Sequence, residues 1–409
     1  MIEVKIMQRI GWLAAVSTFA DVTTPLILPW YGYDLSHSLS IMAMMFVAEA
    51  LVPLIVGWLL SSYISHTQAG DLFRFGQGIR AIIFLVLLSI PLDQNSWIVE
   101  VGLTISAGLN GFGSVMAEAA MQTALPGQGP HLTEQANRLQ RVIMIVRVVG
   151  APTGGLLMGL VGSVVTLMIL AGLSAISGFL GPLWIPQSNT SLIVGRKMTY
   201  AHNGLTQLWR MPVLRSLAIQ AMIGNLGWTL VMSGFLYYLL NRLHLASQAV
   251  AMVYLCIGIG SIAGTVVVIP LLSRFRRGQL YPLFLSGGLL GLLILQWNTA
   301  WAAAIGEALV GLCDTAWVVL SVGVRLELLK PEQRNSVLTA SRLLSNMFIP
   351  IGGGIVAFWG IRLGFPTLFA MAAMIKAIEI GFAKMTEVGR IDDGSCCAIM
   401  GMRRSVSSL

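Results

Sequence analysis

Eight charged side chains interrupt long apolar runs in this sequence: Asp21, Glu49, Glu118, Arg147, Glu307, Asp314, Lys376 and Glu379. In a bilayer interior each would cost roughly 2.5–3.5 kcal/mol by insertion scales, so each is a functional candidate by default. An apolar wall disfavours the charged form of a carboxyl, which lets such a group take up and give back a proton. Asp21 is the only acid in its run and is the first candidate for that chemistry, with Glu49 and Asp314 as further proton-coupling candidates. The plain alternative for Asp21 is a structural hydrogen bond, and for Asp314 a packing contact. Arginine keeps its charge, so Arg147 needs a carboxylate, and Glu118 and Asp21 are the candidate partners. That ion pair either switches when the carboxylate is protonated or simply holds two helices together. Lys376 and Glu379 stand three apart and are expected to pair with each other as a structural contact. Glu307 is expected near the outer end of its run. No nucleophile–base set and no metal-ligand spacing stands out, so neither enzymatic chemistry, nor a metal, nor a cofactor is expected.

The chain around these residues is 56 % hydrophobic and 10 % charged, with mean hydropathy +0.80. Ordinary soluble domains carry about 25 % charged residues. The apolar runs are too long for barrel strands and do not alternate with period two, so helices that cross a membrane are expected. A net charge of +8 would suit nucleic acid, but the basic residues are scattered between apolar runs, which excludes a binding stripe. Cys256 and Cys313 read as packing residues. Cys396 and Cys397 open a string resembling a prenylation box, but nine residues follow Met400. Lys5 and Arg9 precede the first apolar run, which lacks a clear cleavage site and reads as an uncleaved first helix.

The segment Glu134–Gly162 returns without a gap as Glu332–Gly360, 198 residues further on. Glu134, Gln135, Asn137, Pro152, Gly154, Gly155 and Gly162 are matched by Glu332, Gln333, Asn335, Pro350, Gly352, Gly353 and Gly360. A period near half the chain indicates duplicated halves running in the same direction. Apolar runs place six spans in the first half, at 10–32, 39–62, 75–92, 97–124, 137–162 and 163–185. Six more lie at 214–240, 247–273, 279–297, 299–325, 336–360 and 365–386. The expected organisation is an N-terminal bundle (1–185), a linker (186–213), a C-terminal bundle (214–386) and a tail (387–409). The linker string from Arg196 to Met211 reads either as a short amphipathic helix or as a plain tether.

Charge asymmetry gives a direction. With the N-terminus inside, the cytoplasmic loops and tail take sixteen basic residues, Arg74 and Arg80 among them, against Arg242 and Arg362 outside. Both termini are therefore expected in the cytoplasm, with the chain in a cell membrane, the bacterial inner membrane.

Twelve spans in two parallel halves resemble the major facilitator superfamily, and within it the bacterial macrolide and enterobactin exporters. The likeness is carried by Ala20-Asp21, by the string from Leu28 to Ser38, and by the stretch from Asn137 to Leu157 with its Gly/Pro-rich turn. Two motifs depart from the family pattern. Ala151-Pro152-Thr153-Gly154-Gly155 sets the proline one residue late, and Ser61 stands where a gating Asp is usual, with Asp71 as a substitute.

The resemblance implies a proton-coupled secondary transporter that exports an amphipathic small molecule, such as an antibiotic, siderophore or small peptide. It implies that spans 1, 4, 7 and 10 line a cavity, so that Asp21, Glu118 and Asp314 face water or substrate. Span 2 normally packs between the halves, which leaves Glu49 equally a proton relay or a neutral interface carboxyl. Asn110, Asn225 and Trp228 are the substrate-cavity candidates, whereas Trp30, Tyr31, Tyr237 and Tyr238 are expected in an outer aromatic belt. Pro152, Gly154, Gly155, Pro350, Gly352 and Gly353 are the candidates for gating, because proline frees a helix backbone group and glycine permits close contact. A monomer is expected, with protons, a small molecule and lipid as its only partners. An importer or lipid-handling carrier on the same fold stays open, as does a membrane sensor or scaffold.

Overall fold

Apolar segments in a membrane must satisfy their backbone hydrogen bonds internally, and these do so as helices. The computed structural model describes residues 2–59, 68–89, 97–123, 132–185, 197–329 and 331–390. The helices of the first half are α1 (Ile2–Ser36), α2 (Leu39–Leu59), α3 (Ala69–Leu88), α4 (Trp97–Thr123) and α5 (Leu132–Trp184). After them come α6 (Lys197–Arg210), α7 (Pro212–Tyr237), α8 (Ser247–Leu272), α9 (Arg277–Ile294) and α10 (Ala300–Leu328). The last are α11 (Pro331–Asn346), α12 (Ile349–Leu363) and α13 (Phe365–Met385). The tail with Cys396 and Cys397, and the loop with Ser61, lie outside the described residues.

Among the described residues nine helices are long and apolar enough to cross a bilayer, and Leu39–Ile55 is a shorter apolar one. α3 adds a 20-residue helix whose Asp71, Arg74 and Arg80 lower its hydropathy. α5 runs for 53 residues and kinks at Gly162 (φ 82°, ψ 171°), so it holds two spans. α11 and α12 together make one span, broken at Met347 and Phe348 just ahead of Pro350. The result is a multi-pass, all-helical chain that accommodates the twelve expected spans. The linker forms a helix, α6, whose Leu208 enters a buried core with Leu214, Leu217 and Tyr281.

The turns repeat between the halves. Gly162, between spans 5 and 6, and Gly364 (φ 72°), between spans 11 and 12, both take the left-handed backbone that glycine adopts without a Cβ penalty. His37 (φ 49°) and His244 (φ 50°) do the same after spans 1 and 7, and Asn298 (φ 58°) after span 9. Histidine and asparagine are among the few side chains that tolerate this region.

Contacts divide the chain into two units. Unit 1 is Met1–Met198, Thr229–Leu255 and Ile349–Phe365; unit 2 is Thr199–Trp228, Cys256–Phe348 and Pro366–Leu409. The hairpin joining α7 to α8, and α12, thus group with the first half of the sequence. Within unit 1, Tyr237 meets Tyr33 (ring centroids 5.7 Å apart) and Phe365 (6.1 Å), and Tyr238 meets Phe365 (5.1 Å). Trp30, Tyr31 and Tyr238 are buried, which corrects the expected aromatic belt. Their rings fill helix contacts, and the Tyr31 hydroxyl donates to the Leu87 carbonyl at 2.7 Å.

Each half also contains a reciprocal glycine crossing. A Cβ on Gly113 would lie 2.7 Å from the Gly76 carbonyl oxygen, where α3 crosses α4. A Cβ on Gly306 would lie 2.8 Å from the Gly291 carbonyl oxygen, where α9 crosses α10. No side chain fits either crossing without moving backbone, whereas Gly323 has open space around it. Gly113→Leu and Gly306→Leu should each lower stability by about 1–3 kcal/mol or more through overpacking. Gly323→Ala should leave it equal or raise it by about 0.5 kcal/mol. Thermal unfolding of the purified proteins in detergent checks this, and equal midpoints for all three would show the crossings to be slack.

Candidate functional site

In unit 1, α1 and α3 run side by side in the same direction, joined by polar pairs one above another. The Gln77 amide donates to Ser17 Oγ (2.8 Å), and Arg80 donates to Asp21 and Thr24 one turn further along. Arg80 is fully buried, with its Nη1 only 2.6 Å from Asp21 Oδ1. Its Nε donates to Asn110 Oδ1 on α4 at 3.2 Å, and Nη2 reaches Thr24 Oγ1 at 3.5 Å. Because the Asn110 oxygen is taken by Arg80, its nitrogen faces α2 and donates to Glu49 Oε1 at 3.1 Å. One guanidinium, one amide and two carboxylates thus form a chain across four helices. The Arg80 stem passes over Gly113, whose missing Cβ leaves the room for it: Arg80 Cγ lies 2.7 Å from that position.

This corrects the placement of Arg80 among the cytoplasmic loop charges. The guanidinium lies inside α3, held by a carboxylate, an amide and a hydroxyl. A signal was present, since position 80 falls five residues inside the expected third span. Asp21 therefore pairs with Arg80, a cation that the sequence had not offered it. The side chain of Arg147 lies outside the described residues, and Glu118 is half-buried on α4.

Unit 2 holds a comparable group. Lys376 on α13 donates to Asp314 Oδ1 on α10 at 3.0 Å and lies 3.1 Å from Glu379 Oε2. The expected Lys376–Glu379 contact is present, and Asp314 is the partner that sequence spacing did not show. Glu307 is buried rather than exposed at a helix end. Asn225 on α7 donates to the Ser345 carbonyl at 2.8 Å, beside the break in span 11, and Trp228 is 39 % exposed. Asn110, by contrast, is 1 % exposed, and its amide is spent on Arg80 and Glu49.

The duplicated glycines occupy corresponding places. A Cβ on Gly154 would lie 2.9 Å from Thr23 Cγ2 on α1, and one on Gly155 would lie 3.3 Å from Ala251 Cα on α8. A Cβ on Gly353 would lie 2.7 Å from Val47 Cγ2 on α2 and 3.7 Å from Thr229 on α7. Span 5 thus touches spans 1 and 8, and span 11 touches spans 2 and 7. Gly352 is also buried. Pro152 lies inside α5 and Pro350 in the first turn of α12.

No protein-family model matches the chain, and no curated protein sequence matches it. Solved structures do. A variant of the nucleoside transporter NupG superposes with TM-score 0.70 at 15 % identity, over 93 % of this chain and 99 % of that one. A bacterial homologue of the iron transporter ferroportin, in its inward-facing state, gives TM-score 0.70 at 13 % identity, over 94 % and 98 %. A bacterial homologue of the human lysosomal transporter Spinster, inward-facing and unoccupied, gives 0.66 at 11 % identity, over 95 % and 97 %. The chain has the major facilitator fold. Identities this low concern the fold alone, and the cargoes named for those proteins are theirs.

A buried cation and its carboxylate stand or fall together. Arg80→Met leaves Asp21 without its guanidinium and should destabilise the protein by roughly 3–5 kcal/mol. Adding Asp21→Asn to Arg80→Met should recover part of that loss, because the Asp21 charge is removed along with its guanidinium. A double variant that melts below Arg80→Met alone would show that the pair is not the source of the cost.

Proposed function

We propose that the chain is a proton-coupled secondary transporter that exports an amphipathic small molecule by alternating access. The observation that carries this reading is the unequal exposure of the Arg80–Asp21 pair. The guanidinium is sealed off, while the Asp21 side chain is 24 % exposed. A carboxylate open on one side and held by a fixed cation on the other can exchange a proton with water and break its ion pair as it does so. Glu49, linked through Asn110, and Asp314 in unit 2 are the further coupling candidates, and Arg147 with Glu118 is a candidate ion pair. Asn225 and Trp228 remain the candidate cargo contacts, whereas Asn110 serves the buried cluster; Trp228 offers an exposed ring of the kind that suits an apolar or cationic organic group.

The basic residues that remain in loops support cytoplasmic termini, and the long apolar helices support residence in a cell membrane; a monomer with 1–185 and 214–386 as its repeated bundles completes the reading. In that orientation the α7–α8 hairpin and α12 pack on α1, α2 and α5 at the outer side. The glycines at 154, 155, 352 and 353, with Pro152 and Pro350, would let those helices part and close again. Gly154→Leu and Gly353→Leu should therefore lower transport severalfold while membrane expression persists, since a side chain forces apart helices that meet at a small residue. Full transport by both would make these glycines incidental.

Asp21→Asn mimics the protonated side chain. In proteoliposomes it should bind cargo and support counterflow exchange, yet fall to the level of protein-free vesicles when a pH gradient is the only driving force. Normal gradient-driven export by this variant would remove Asp21 from the coupling role. Inward movement with the proton by the unaltered protein would favour an importer.

A further inference from the structure

Among its described residues, unit 2 buries Glu307 and Glu379 but only Lys376 as a base. Lys376 is 6 % exposed and Glu379 2 % exposed, while the Asp314 side chain remains 32 % exposed. One ammonium therefore serves two carboxylates, and the two do not hold it equally. Asp314 accepts a hydrogen bond from it at 3.0 Å. Glu379 lies within ion-pair reach at 3.1 Å, yet its Oε2 has no hydrogen-bond partner of good geometry. Two ionised carboxylates and one cation would leave a net negative charge inside the helix pack. A single proton on the less well-held carboxyl removes it.

Among the described residues, the surroundings supply no second cation within hydrogen-bond reach. α9 contributes Gly288 beside the Lys376 stem, with Lys376 Cε 3.6 Å and Asp314 Oδ1 3.7 Å from where its Cβ would be. α7 contributes Gly224, whose Cβ position lies 3.0 Å from Glu379 Oε1. One turn earlier on α7, Gln220 is fully buried with neither amide atom hydrogen-bonded. α10 contributes the Cys313 thiol and, two turns before Asp314 on the same face, Glu307. That carboxyl is 1 % exposed with an unpartnered Oε1, so it adds acid rather than base. Arg325 lies three turns beyond Asp314, where it reaches the Leu217 carbonyl.

We propose that Asp314, Lys376 and Glu379 form a proton-binding site of their own, in which two carboxylates share one ammonium and hold one exchangeable proton. The proton rests on Glu379 while Lys376 pairs with Asp314. Anything that draws Asp314 away, such as a cationic group arriving from water, frees the ammonium for Glu379 and releases its proton to solvent. This extends the proton-coupled reading to a second site, and its test requires no transport.

Infrared spectroscopy of the purified full-length protein, taken across a pH series in detergent, separates protonated carboxyls from carboxylates. Glu379→Gln should remove one pH-dependent protonated-carboxyl band that Glu49→Gln and Glu307→Gln both retain. Asp314→Asn hands the ammonium to Glu379 and should remove the same band, although the acid deleted is a different one. Lys376→Met should strengthen the band and carry it to more alkaline pH, because ionisation then has no cation to favour it. A spectrum unchanged by Glu379→Gln at every pH would overturn the proposal, as would a band that survives Asp314→Asn. The three variants fail to fold independently of one another, so any that is monodisperse decides the question. Should the band behave as expected while transport ignores a pH gradient, this site stands and the coupling role of Asp21 falls.

Discussion

A cation buried among apolar helices must be neutralised by its neighbours, and much of this molecule is arranged around meeting that demand twice. Arg80 in unit 1 and Lys376 in unit 2 are each nearly or wholly sealed from solvent, and each lies against a carboxylate of another helix at 2.6 Å and 3.0 Å. Desolvating two charges costs several kcal/mol per ion unless hydrogen bonds occupy the remaining donors. In unit 1 Asn110 and Thr24 fill that role. The register between α1 and α3 follows from it: Gln77 must reach Ser17, Arg80 must reach Asp21 and Thr24, and Leu87 must offer its carbonyl to Tyr31. Sliding either helix by one residue would break all three levels together.

Glycines make the arrangement sterically possible. The Arg80 stem occupies the space that a side chain at position 113 would take, so the crossing of α3 and α4 and the seat of the cation are one feature. The same logic holds around Lys376, where Gly288 leaves room for the stem and Gly224 for the Glu379 carboxyl. Small residues in a membrane bundle are usually read as devices for bringing backbones together. At these positions they also clear space for long charged side chains that could not otherwise enter.

The architecture was legible because its signals are long and redundant: apolar runs, a gapless repeat and turn residues such as Gly162 at a boundary drawn from hydropathy. The carboxylates at 21, 49 and 314 were legible because a charge in an apolar run is conspicuous. Their partners were not. Arg80 stands midway along α3, six residues after Arg74, and charge counting alone assigns both to a loop. Only the depth of the helix separates the buried guanidinium from its neighbours. Lys376 and Glu379 were readable as a pair because three residues of helix bring them together. The contact with Asp314, 62 positions away, depends on how α10 and α13 pack, which no local spacing records. The aromatic side chains misled for the converse reason. Trp30, Tyr31 and Tyr238 lie at span ends, where an interfacial belt is usual, but packing places them inside.

The two clusters share a charge count and differ in the chemistry of the cation. A guanidinium is a planar fork, and Arg80 uses that fork on three partners at once, so it cannot follow Asp21 without releasing Asn110 and Thr24. Any rearrangement there must fall on the carboxylates. An ammonium is a point charge on a flexible stem, and Lys376 lies almost equally far from Asp314 and Glu379. A small rotation of that stem transfers its pairing from one acid to the other at little cost in geometry. Unit 1 thus fixes its cation through three partners at once. In unit 2 one ammonium lies within reach of two acids, so the two units hold charge by different means.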